Sequence, residues 1–161
     1  MANASADDRL DLTLSRTVKL PRELIWRAWT EPKHLMPWFC PKPWQAVECD
    51  IDLKPGGIFR TLMRGPDGQS IDNTGCYLEV VKPQRLTFTT VLGPGFRPMA
   101  DPFLPFTAVL TFEDTGSGST RYHVRALHRN DADKQKHAEM GFDQGWAKAL
   151  EQLVEYAPKI G

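Results

Sequence analysis

The C-terminal end of the chain carries an apolar stripe too wide to be left in water. Phe142, Trp146, Ala149, Leu150, Leu153 and Ala157 recur at three- and four-residue steps within the run that begins at His137, so on a helix they share one face. The spacing predicts a single amphipathic helix that ends the protein, capped at its start by Asn130-Asp-Ala-Asp. One helix cannot bury such a face alone; it needs another layer to lie on.

The residues before it supply a sheet. Leu10 to Leu20 alternates apolar and polar side chains, the pattern of a half-buried strand. Pro21 stops that strand and suits the first turn of a short helix holding Leu24, Ile25, Ala28 and Trp29. Thr30-Glu-Pro can cap a second short helix with Leu35, Met36 and Trp38, and prolines then stiffen an irregular loop to Trp44. Further strands are predicted at Val47–Leu53, Phe59–Met63, Asn73–Val81, Arg85–Leu92, Phe106–Glu113 and Arg121–Arg129. Tight turns such as Gly65-Pro-Asp-Gly join several of them, which implies antiparallel neighbours. The expected class is α+β: a curved antiparallel sheet of six to seven strands wrapped around a long C-terminal helix, with two short helices after the first strand. Residues 1–9 read as a flexible tail and 10–157 as one domain.

Charge and cysteine content narrow the partners. Lys+Arg and Asp+Glu number 20 each in 161 residues, so no net field draws in nucleic acid. No apolar run approaches a membrane span, and none at the N-terminus resembles a signal peptide. Cys40, Cys49 and Cys76 are too few and too scattered for a disulfide framework or a zinc site, so the expectation is a cytoplasmic protein with reduced thiols. Cys49 shares the apolar parity of its strand, and Cys40, in the proline loop, is expected to be the thiol most open to solvent.

Parity also picks out a candidate pocket. Tyr122 and His128 fall on the inward side of the last strand, with Phe106 and Phe88 on the same side of its neighbours. Together with Phe59, Trp38, Phe39, Met140 and Gly141 they outline a hydrophobic cavity between sheet and helix. Trp146 is expected in the packed core. His128 and His137 can meet across the turn between strand and helix, at the cavity mouth. There they could orient a ligand or act as general base and orienting group. Their spacing is not that of a metal pair and no third ligand is defined, so no metal is assigned. No nucleophile–base pair or phosphate loop is present, so no catalytic residue and no cofactor is assigned. Gly141 and Gly145 lie inside the predicted helix, at a cost of up to about 1 kcal/mol each, which suggests close approach of the sheet or of a bound molecule.

Four pieces of sequence carry a family resemblance. They are Trp26-Arg-Ala-Trp-Thr-Glu-Pro after Pro21; Trp38-Phe with Pro43-Trp; Asp52-Leu-Lys-Pro-Gly-Gly; and Met140-Gly-Phe-Asp-Gln-Gly-Trp. Gly75-Cys-Tyr-Leu-Glu-Val-Val and Arg85-Leu fit between them. In this order the chain, from about Leu10 to Tyr156, resembles the SRPBCC/START-like superfamily, and within it the branch named for the activator of the 90-kDa heat-shock protein ATPase. The resemblance implies a helix-grip (Bet v-like) fold in a stand-alone domain, and a small apolar or amphipathic molecule as partner. It also admits a cyclase- or hydrolase-type enzyme in the same cavity. A third possibility is a co-chaperone-like interaction module, which predicts an exposed apolar patch around Trp38, Phe39 and Trp44; the same patch could form a homodimer.

Overall fold

The computed structural model describes residues 8–160. Most of the tail expected over 1–9 lies outside those residues; Asp8–Leu10 form one 3-10 turn that leads into the first strand. Seven strands build one antiparallel sheet: β1 (Asp11–Val18), β2 (Gln45–Ile51), β3 (Ile58–Arg64), β4 (Ser70–Val81), β5 (Arg85–Thr89), β8 (Thr107–Asp114) and β9 (Thr120–Leu127). Their spatial order is β1-β9-β8-β5-β4-β3-β2. The short β6 (Leu92–Gly93) and β7 (Arg97–Pro98) form a separate ribbon. After β1 come α1 (Arg22–Thr30) and α2 (Pro32–Leu35), as the two proline positions predict.

Alternation decides which face is covered. Leu14 and Val18 of β1, Ala108, Leu110 and Phe112 of β8, and Tyr122, Val124 and Ala126 of β9 are buried, while side chains of the opposite parity are partly or fully exposed. Leu14 faces Val124 and Leu110 also faces Val124 across the paired strands, so the inward rows align. Strand β5 ends three residues before the predicted Leu92. The regular ladder stops at Thr90, whose hydroxyl also bonds the facing loop, donating to Leu104 O at 2.6 Å and accepting from Phe106 N at 3.0 Å. Gly75 sits where β4 crosses close to this bend; a Cβ there would lie 2.1 Å from Thr89 O.

The C-terminal segment is two helices rather than the one predicted. Helix α3 (Asp131–Glu139) is capped by Asn130, whose side chain accepts from Asp133 N at 2.9 Å. Helix α4 (Phe142–Tyr156) carries the apolar stripe, with Phe142, Ala149, Leu150 and Leu153 buried. Gly141 separates them with φ 92°, a left-handed conformation that only glycine adopts cheaply. Its N–H donates to Ala138 O at 3.0 Å, ending α3, and its carbonyl accepts from Gly145 N at 2.7 Å, starting α4. A Cβ at Gly141 would meet nothing within 4 Å, so the expected close approach is not its reason; backbone conformation is. Gly145 does lie inside α4, and there a Cβ would touch only Pro41 Cγ, at 4.0 Å.

Candidate functional site

Three elements converge on an aromatic cluster. Trp29 at the end of α1 lies 5.1 Å from Trp38, 5.8 Å from Phe39 and 6.2 Å from the stacked ring of Trp146, centroid to centroid. Its indole N–H donates to the Tyr122 hydroxyl at 3.0 Å, tying α1 to β9. The Tyr122 phenol is wholly buried, and burial pushes its pKa up. Between this cluster and α4 lies a recess of about 260 Å³. Trp38, Phe39, Phe106, Tyr122, His137, Met140 and Gly141, all sequence candidates, border it. So do Trp29, Asn73, Gly145 and Ala149. Trp146 is only partly buried and also borders the recess, so it is not simply core.

The remaining candidates fall elsewhere. Phe59 and Phe88 border a smaller adjoining void of about 60 Å³ and pack on each other at 4.9 Å. His128 lines an outer groove beside Pro105 and Leu127 instead of the recess. It still reaches the site through its partner. His128 Nε2 and His137 Nδ1 are 2.9 Å apart, and His128 Nδ1 lies 2.8 Å from the carbonyl oxygen of Leu10. The two histidines therefore meet as their positions, just after β9 and on α3, suggest. Phe106 at 4.7 Å and Phe142 at 5.1 Å enclose the His137 ring. Burial first, then the neighbouring His128, pushes the His137 imidazole down to about 4. Among the described residues no cluster of His, Cys, Asp or Glu could hold a metal.

Two features escape a reading of the sequence. Gln152, on α4, is 9% exposed and holds the proline loop: its amide N–H₂ donates to Trp38 O at 2.9 Å and Cys40 O at 2.7 Å, and its oxygen accepts from Lys42 N at 3.0 Å. A lone glutamine at the edge of an apolar stripe gives no pattern that would single it out. The same staple holds Trp38 and Cys40 on the buried side of the loop, which reverses the expected cysteine order: Cys40 is 5% exposed, with burial pushing its thiol up to about 12, and Cys49 is the more accessible. Trp38 is 1% exposed while Phe39 and Trp44 are partly exposed, so the apolar patch expected around the three is only partly at the surface. Among the described residues, the large apolar side chains that do stand exposed are Leu53, Phe96, Phe103 and Met140.

Residues 19–157 match the family described as Activator of Hsp90 ATPase homolog 1-like protein. The chain belongs to this family. A Nitrosomonas europaea protein of the same fold is 42% identical, with a TM-score of 0.90 over 95% of this chain and 97% of that one. A Mycobacterium smegmatis protein is 28% identical, with a TM-score of 0.77 over 94% of this chain and 92% of that one. An AHSA1-like protein from Aeromonas hydrophila, 21% identical, shares the fold at a TM-score of 0.68 over 92% and 93% of the two chains. No curated protein matches the chain. The Activator of Hsp90 ATPase homolog 1-like family and its helix-grip architecture fit either a ligand-binding or a co-chaperone-like domain. No helix among the described residues is long and apolar enough to cross a membrane.

Proposed function

We propose that this domain binds a small, uncharged, largely apolar molecule in the recess between the sheet and α4. The observation that carries the reading is the wall itself: aromatic side chains from four elements border about 260 Å³, and no Lys, Arg, Asp or Glu is among them. An apolar wall favours apolar ligands through burial, and offers a charged one no counter-ion. Burial of Trp38, the centre of the expected patch, leaves a chaperone contact there less apolar surface to use. Free thiols at Cys40, Cys49 and Cys76 suit a reducing, cytoplasmic setting.

An aromatic group of side-chain size buries about 150–250 Å². At about 25 cal/mol per Å² that is worth roughly 4–6 kcal/mol, so a simple probe should bind with a dissociation constant between about tens of micromolar and a millimolar. Gly145→Leu tests the location. The new side chain starts beside Pro41 and grows into the recess, while the helix gains up to about 1 kcal/mol from losing a glycine. Titration with phenylnaphthylamine, a neutral fluorescent probe, should show binding to the wild type and at least a tenfold loss in a variant that melts no lower. Equal binding by both proteins would remove the recess from the function.

A further inference from the structure

The hydrogen-bond chain through the two histidines has a direction. The carbonyl of Leu10 can only accept, so His128 Nδ1 carries a hydrogen and donates it. With both rings neutral, His128 Nε2 is then bare, and the 2.9 Å contact requires His137 Nδ1 to donate to it. The second nitrogen of His137, Nε2, is consequently a bare acceptor. It has no hydrogen-bond partner among the described residues. It is also absent from the sealed, unpartnered polar atoms there, which are Arg22 Nε, Trp38 Nε1 and the Tyr77 hydroxyl. His137 lines the recess, and this open nitrogen is the polar atom its ring can offer there. A backbone carbonyl at one end thus fixes an acceptor at the other, inside an aromatic chamber.

We infer that the recess takes an uncharged, flat aromatic molecule that bears a hydroxyl group, and that the hydroxyl donates to His137 Nε2, with His128 as a positioning residue. This rests on the recess being the binding site. Trp29, Trp38 and Trp146 border the recess, and such flat rings pack best against a planar aromatic ligand. A cavity of about 150 Å³ holds a benzene, so about 260 Å³ suits a two-ring compound. A carboxylate would bring an acceptor against an acceptor and a charge into a wall without a cation. An ether of the same shape would leave the imidazole nitrogen desolvated and unpartnered.

The test compares 2-naphthol with 2-methoxynaphthalene at about pH 8, where free imidazole is neutral and a naphthol remains protonated. Wild-type protein should bind the naphthol about tenfold more tightly, and His137→Phe should abolish the difference while still binding both. Nitrogen NMR of the wild type supplies a readout that needs no variant: the His137 Nε2 signal should be that of a bare nitrogen, and should shift with naphthol and not with its ether. If both compounds bind alike, compete with each other and are both excluded by Gly145→Leu, the hydroxyl inference is overturned and the recess reading stands. If neither binds, or Gly145→Leu leaves binding intact, both fail.

Discussion

Protonation of His137 should be the main reason this fold weakens in mild acid. Burial and the adjacent His128 hold its pKa at about 4, against an ordinary value of 6.5. The unfolded chain therefore binds this proton more readily than the folded one, so the site's contribution is complete above about pH 6.5 and is lost as pH falls toward 4. Working the two pKa values through the linkage relation, the contribution falls by about 2 kcal/mol between pH 7 and pH 5. The depressed carboxylates of Glu31 and Glu79, each held by an arginine, release their contributions only below the ordinary carboxylate range, so pH 5 separates them from the histidine. Urea unfolding of wild type and His137→Phe at both pH values reads this directly. Phenylalanine keeps the ring packing against Phe106 and Phe142. The variant should start lower at pH 7 by about 1–3 kcal/mol, because His128 Nε2 loses its partner. It should then lose about 2 kcal/mol less than wild type on acidification. Parallel losses in the two proteins would refute the claim that His137 is buried as a neutral ring.

Other consequences concern the walls of the recess. Gln152→Ala strips the partners from two loop carbonyls and the Lys42 N–H. It should destabilise the fold by about 2–3 kcal/mol in urea melts and make Cys40 reactive to a thiol reagent that spares it in the wild type. Gly141→Ala forces a Cβ into the left-handed region and should cost about 1–2 kcal/mol, although space is free around it. Unchanged stability there would mean that the α3–α4 junction is not set by backbone conformation.

The break between α3 and α4 shows how a correct pattern can be over-extended. The apolar stripe begins at Phe142 and has no counterpart from Asp131 to Glu139, where only Asp133 and His137 are buried. A helix without a stripe, followed by a glycine, is a boundary signal in its own right. The strands were readable because alternation is a local property: a residue's parity assigns its face without reference to any other element. Tyr122, Phe106 and His128 are all buried, but only Tyr122 and Phe106 border the recess, while His128 lines the outer groove.

Parity stops at the face, and the site depends on what stands opposite it. Phe88 and Tyr122 are equally inward-facing, yet Tyr122 borders the recess and Phe88 packs against Phe59. The sequence alone determined the order of the elements, the inward rows of the sheet and the meeting of His128 with His137 across one turn, because each follows from short-range spacing. Tertiary structure decided the recess, the burial of Trp38 and Cys40, and the staple formed by Gln152. Those depend on α1, the proline loop and α4 lying against one another, and that arrangement is set by the packing of side chains more than a hundred residues apart, such as Gln152 and Trp38.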